Sequence, residues 1–127
     1  MHLLIVEDNP DLLENLSDFF EARGHAVDLA YNGLTGLRFA RENRYDIIVL
    51  DLMLPRMDGY KVCRALKFDD RYRHIPVLIL SARSGETDRR LAMELGADAY
   101  VTKPYDMKDL LSRIRERLRQ SRQSDAA

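Results

Sequence analysis

The chain predicts a doubly wound α/β domain: five parallel strands with helices on both faces of the sheet. Three observations carry that reading. Five short apolar runs alternate with five amphipathic stretches, and alternating β and α units imply a parallel sheet with right-handed crossovers. The clearest run, Ile47-Ile48-Val49-Leu50, is continuously apolar, as strands covered on both faces are. The stretches between runs are bounded by Asn, Asp, Pro and Gly, which start and stop helices.

Taken in order, Leu3–Glu7 is the first strand. Asn9-Pro10-Asp11 then caps a helix, with proline in its first turn and an acid at the positive end of the dipole. Leu13, Leu16 and Phe20 form its buried stripe, Leu12 and Phe19 flank it, and Gly24 stops it. Ala26–Ala30 is a weaker, more peripheral strand, and Asn32-Gly33 opens a second helix with Leu34, Leu37 and Ala40 at helical spacing. Asp46–Asp51 holds the strongest strand signal. A loop over Leu52–Asp58, around Pro55, leads to a third helix at Gly59–Lys67. Phe68–His74 is polar and irregular, and Pro76–Leu80 is the fourth strand. Gly85–Leu95 is the fourth helix, stopped by Gly96, and Ala99–Thr102 is the fifth strand. Asp106 caps a fifth helix striped by Leu110 or Leu111, Ile114 and Leu118. The domain then occupies residues 1–120, with 121–127 a polar tail or truncated linker.

Composition narrows the function classes. At 127 residues the chain is one domain's worth. A formal net charge of -1 argues against binding nucleic acid by bulk electrostatics. Cys63 is the single cysteine, so no internal disulfide forms, and its place on a stripe with Val62 and Leu66 assigns it to the core. Met1-His2 leads into a strand with no cationic leader, and no apolar run nears the roughly 20 residues that cross a bilayer. The expectation is a soluble, cytoplasmic protein. His2, His25 and His74 are scattered, and Arg113, Arg115, Arg117 and Arg119 read as a solvated face of the fifth helix.

The chemistry lies in Glu7, Asp8, Asp51 and Lys103, all at C-terminal ends of predicted strands. Parallel α/β sheets bind ligands at that edge. Three acids brought together repel, and a bound cation relieves them. A hard divalent ion suits oxygen ligands, and Mg²⁺ fits better than Zn²⁺ because no His or Cys is near. Asp51 can serve as both ligand and nucleophile, because a phosphoryl group held by Mg²⁺ is activated enough for carboxylate attack. Lys103 supplies a point charge and Ser81 a hydroxyl at the end of strand four. Singly, each has a plain reading. Glu7-Asp8 caps a helix, Asp51 starts a loop, Lys103-Pro104 is a surface turn, Ser81 bonds backbone and Tyr100 is a half-buried strand aromatic. Their joint occurrence at four strand ends outweighs these.

Five motifs carry a resemblance: Ile5-Val6-Glu7-Asp8-Asn9, Val49 to Gly59 (Val-Leu-Asp-Leu-Met-Leu-Pro-Arg-Met-Asp-Gly), Leu80-Ser81-Ala82, Gly96-Ala97-Asp98-Ala99-Tyr100 and Thr102-Lys103-Pro104. In this order and spacing the chain resembles the receiver domain of two-component response regulators, from Leu3 to about Leu118. The resemblance implies the flavodoxin-like (βα)5 fold, with Asp51 as phosphoacceptor from a histidine kinase or phosphotransfer protein. It implies Mg²⁺, with Mn²⁺ as a substitute, held by Asp8, Asp51 and the Met53 backbone carbonyl, and by Glu7 through water. Lys103 would pair with the acyl phosphate beside a cis bond to Pro104. Ser81 would move to a phosphoryl oxygen, and Tyr100 would rotate inward behind it. The output is a partner or fused effector domain, controlled through the helix-four, strand-five, helix-five face. A homodimer through that face is also implied, with Arg89, Asp109 and Met93 suited to it and Arg90 and Ala99 departing from the usual pattern. Enzymatic turnover is not expected beyond uptake and hydrolysis of the chain's own phosphoryl group, with Met53 and Arg83 flanking the site. The kinase would dock near Leu12 and Tyr105.

Three rivals are weaker. A haloacid-dehalogenase-like phosphatase also uses a strand-end Asp, but needs a second Asp where Met53 stands. A flavin or nucleotide module needs a phosphate loop where Glu7-Asp8-Asn9-Pro10 would repel phosphate. A degenerate, phosphorylation-independent receiver would not need Asp51, Lys103 and both acids together.

Overall fold

The computed structural model describes residues 1–126, with side chains described through Gln120. Strands β1 (His2–Val6), β2 (Ala26–Ala30), β3 (Ile47–Leu50), β4 (Val77–Ser81) and β5 (Ala99–Thr102) alternate with five helices. These are α1 (Pro10–Glu21), α2 (Gly33–Glu42), α3 (Gly59–Lys67), α4 (Glu86–Glu94) and α5 (Met107–Ala126). All strand pairs are parallel, in the order β2-β1-β3-β4-β5. The weak strand β2 sits at an edge, as its sequence predicts.

Alternation along each strand divides the core in two. Leu3, Ile5, Ile47, Val49, Leu78, Leu80 and Val101 face α1 and α5, where Leu13, Leu16, Phe20, Leu110, Leu111 and Ile114 meet them. Leu4, Val6, Ile48, Leu50, Ile79 and Tyr100 face the opposite way, onto Leu37, Ala40, Val62, Cys63, Leu66 and Ala92. A sheet covered on both sides explains why its strands read as unbroken apolar runs. Cys63 is buried there, and burial pushes its thiol up to about 11. No described helix is long and apolar enough to cross a membrane.

Register sets the site. Val6 pairs with Leu50, so the next residues, Glu7 and Asp51, emerge side by side. Ser81 pairs with Thr102, so Lys103 follows at the same edge.

Two elements differ from the sequence reading. Leu34 is exposed rather than striped with Leu37 and Ala40, because Gly33 and Gly36 take the buried face of α2. A Cβ on Gly36 would lie 2.8 Å from both Val6 methyl groups, so only glycine lets the helix approach β1 this closely. The helical backbone of α5 also continues to Ala126, through the stretch read as a polar tail. Its expected stripe is there, with Leu110, Leu111 and Ile114 buried.

Candidate functional site

Each functional side chain is placed by the turn that follows its strand. Asn9 accepts from the Asp11 and Leu12 amides at 3.0 and 3.3 Å, starting α1 immediately beyond Glu7 and Asp8. Asp58 caps α3 by accepting from the Lys61 amide at 3.0 Å. Gly59 is required there, since a Cβ would come to 2.2 Å from the Asp51 carbonyl oxygen. The Met53 amide donates to Asp51 Oδ1 at 3.2 Å, fixing that carboxylate's orientation, while the Met53 side chain is half-exposed. Lys103 precedes a cis peptide bond to Pro104, as the resemblance implies.

The predicted acids converge. Glu7, Asp8 and Asp51 each offer an oxygen within 4.8 Å of the others, with Glu7 and Asp51 buried and Asp8 exposed. Lys103 Nζ donates to Glu7 Oε1 at 3.0 Å and to Asp51 Oδ2 at 3.2 Å. One ammonium therefore serves two buried carboxylates, and Glu7 Oε2 is buried with no hydrogen-bond partner. Burial first, then the Asp51 carboxylate, pushes Glu7 up to about 8, against the opposing pull of Lys103. Burial works against the Lys103 ammonium, but its bonds to Glu7 and Asp51 and their charges outweigh it, and its pKa rises. An all-oxygen cluster with an unsatisfied buried oxygen fits a hard divalent cation.

Ser81, at the end of β4, is fully buried, and its Oγ accepts from the Arg83 amide at 3.1 Å. Tyr100 differs from expectation. Rather than awaiting an inward rotation it is already inside, 4% exposed, with its hydroxyl donating to the Arg83 carbonyl at 2.6 Å. Beside these lies a network that sequence reasoning missed. Asp88 Oδ1 accepts from the Tyr60 hydroxyl at 2.7 Å and from Arg83 Nη1 at 3.2 Å. Its three members lie on α3, on α4 and in the turn before α4, and no spacing rule links them. Tyr105, beyond Pro104, has a buried hydroxyl without a partner, pushed up to about 12 by burial and by the Glu7 charge.

Comparisons with known proteins agree with this geometry. The family model described as response regulator receiver domain matches residues 3–115. The DNA-binding dual master transcriptional regulator RpaA of Synechocystis is 40% identical over 94% of this chain and 49% of its own length. The chain spans about half the length of the curated relatives it matches. A CheY-like receiver domain protein from Methanospirillum hungatei superposes with a TM-score of 0.91 at 24% identity, over 97% of each chain, a likeness of fold. The receiver domain of sensor histidine kinase PA1611 from Pseudomonas aeruginosa, solved with magnesium coordinated in its active site cleft, superposes with a TM-score of 0.84. It is 29% identical, over 92% of this chain and 96% of that one. With five parallel strands in the matching order and the acid cluster at their C-terminal ends, this chain belongs to the response regulator receiver domain family.

Proposed function

We propose that Asp51 accepts a phosphoryl group from the phosphohistidine of a histidine kinase or phosphotransfer protein, and that the domain works as a phosphorylation switch. The observation carrying this reading is the Glu7, Asp8 and Asp51 cluster, served by the Lys103 ammonium and holding an orphaned buried oxygen. An Asp51 oxygen attacks phosphorus, the phosphorus–nitrogen bond breaks, and the electron pair leaves with the imidazole. A divalent ion, Mg²⁺ with Mn²⁺ as substitute, supplies charge neutralisation to the transferring oxygens when bound. Asp8, Asp51 and the Met53 carbonyl are its proposed holders, with Glu7 contributing through water. Lys103, released from part of its work on the acids, holds a phosphoryl oxygen, and Ser81 donates its hydroxyl proton to another.

The same reading assigns switching to Ser81 and Tyr100, and output to the surface of α4, β5 and α5. A partner or fused effector responds there, and Arg89, Met93 and Asp109 line the homodimer surface. Asp109 already bonds Arg113 within α5 at 3.3 Å, an exposed pair that a cross-dimer partner would have to compete with. Kinase docking near Leu12 and Tyr105 is favoured by their partial burial beside the site. Met53 and Arg83 steer water for hydrolysis of the acyl phosphate, the only turnover proposed. The proposed location is the cytoplasm. The domain proper ends near residue 120, with 121–127 leading toward the output.

Intact mass after incubation with a divalent cation and acetyl phosphate tests the reading. A single labile phosphoryl adduct is expected, absent without metal and absent in Asp51→Ala. Its absence from the folded wild-type chain refutes the proposal, and donor turnover far beyond one equivalent points to a phosphatase instead.

A further inference from the structure

Arg83, in the turn between β4 and α4, is held at three points. Its amide donates to Ser81 Oγ at 3.1 Å, its carbonyl accepts from the Tyr100 hydroxyl at 2.6 Å, and its guanidinium donates to Asp88 Oδ1 at 3.2 Å. The two switch residues are therefore bonded to the backbone of one residue. That residue's side chain is tied, through Asp88, to the Tyr60 hydroxyl of α3 at 2.7 Å. Asp88 lies in the first turn of α4, where its charge also meets the positive end of the helix.

We propose that Asp88 is a positioning residue: by joining Tyr60 to Arg83 it latches the β4–α4 turn in the arrangement that keeps Tyr100 inside before any phosphoryl group is bound. The latch rests on the phosphorylation reading above and deepens it. Turning Tyr100 outward breaks its bond to the Arg83 carbonyl, and the Arg83–Asp88 bond restrains the turn that presents that carbonyl. The Arg89 guanidinium, 5.3 Å over the Tyr100 ring, adds a second hold from α4. Of the two bonds to Asp88, that from the Tyr60 hydroxyl is the shorter, 2.7 Å, and the part-buried one. The Arg83 pair is half-exposed and weakened by solvent. A latch of this kind shifts populations: whatever it adds to the inward state it adds to phosphoryl uptake, if uptake selects that state.

Labelling the full chain with 3-fluorotyrosine reads the latch directly, with the Tyr100 resonance assigned by its loss in Tyr100→Phe. In Asp88→Ala the Tyr100 signal is expected to move toward its unfolded position and to broaden more with a soluble paramagnetic agent. Tyr60→Phe moves it part of the way. Combined, the two substitutions do little more than Asp88→Ala alone, because they remove one connection. Phosphorylation by acetyl phosphate is expected to slow by about threefold to tenfold in Asp88→Ala. An unmoved Tyr100 signal in folded Asp88→Ala overturns the latch. If that variant does not fold, Arg83→Ala, which keeps the backbone bonds and removes the tie, decides in the same way. If the wild type takes no phosphoryl group, the phosphorylation reading fails, and the fluorine signals still decide the latch independently.

Discussion

The two edges of the sheet treat their acids in opposite ways. Near the N-terminal edge the carboxylates of Asp98 and Asp46 have partners. Asp98 Oδ2 accepts from Lys67 Nζ and from the Val77 amide, both at 2.8 Å. Asp46, just before β3, accepts from the His2 amide at 2.7 Å, and Asp28, inside the edge strand β2, accepts from the Tyr45 hydroxyl at 2.7 Å and meets the His2 ring at 3.0 Å. At the C-terminal edge Glu7, Asp8 and Asp51 crowd together around Lys103, and a buried oxygen is left over. The same residue type thus clamps strand entries at one end and stores repulsion at the other. An unsatisfied, like-charged cluster is costly to a fold, and that cost marks the working end.

Removing an acid from each end should give opposite results, and Asp51 is the sharper case. Asp51→Ala is expected to abolish phosphoryl uptake outright while raising the Tm of the metal-free protein at pH above about 8, where Glu7 is ionised, because it removes a like charge from Glu7. Mass spectrometry and a thermal melt read both, and a lowered Tm would break the comparison.

Lys67→Ala strikes the other edge. Lys67 Nζ also donates to the carbonyls of Arg73 and Ile75, at 2.8 and 3.0 Å, so one substitution takes a donor from three acceptors, of which Asp98 keeps the Val77 amide. A loss of about 3 kcal/mol is expected in urea unfolding, with phosphorylation rates of the folded protein unchanged.

The pH response separates the edges next. The folded state raises Glu7 from 4.5 to about 8, so the folded protein binds its proton more tightly than the unfolded chain does. This contribution to metal-free stability is complete below about 4.5 and is lost as pH rises through about 8. Adding a divalent cation displaces the proton, so affinity should climb with pH over that window and level off above it. Titration calorimetry in buffers of different ionisation heat reads the released proton. Glu7→Gln should flatten both curves, and unchanged slopes would remove Glu7 from the metal shell.

What the sequence made legible follows from how local each signal is. Ile47–Leu50 and Leu3–Val6 declare themselves by composition, and once the sheet is parallel their pairing delivers Glu7 beside Asp51. Four of the five motifs name the site because each lies at the C-terminal end of a strand, while the fifth, Gly96 to Tyr100, leads into β5. Other features depend on approach between distant elements. The burial of Gly36 in place of Leu34 follows from how near α2 comes to Val6. The role of Lys67, at the end of α3, depends on Asp98, far along the chain, which closes over it. Asp88 likewise has its partners in two other segments, which no local pattern links to it. The inward Tyr100 is a conformational choice, invisible to composition.

The smallest effect concerns backbone strain beside the working edge. Arg56, in the loop between β3 and α3, has a φ of 70°, a left-handed conformation that a side chain bearing Cβ adopts at a cost. The turn is nonetheless held, since the Met57 amide donates to the Pro55 carbonyl at 2.8 Å and the Gly33 amide to that same carbonyl at 3.3 Å. Arg56→Gly should therefore relieve strain without altering the turn. It also loosens the unfolded chain, which offsets part of the gain. The net expectation is a stabilisation of about 0.5–1 kcal/mol, read as a higher urea midpoint at unchanged m-value, with metal affinity unaffected. A destabilised variant would mean that the Arg56 side chain, which lines a shallow apolar depression with Leu34, Leu37 and Arg38, holds α2 against the loop. In that case the working edge is braced from α2 as firmly as the opposite edge is braced by Lys67.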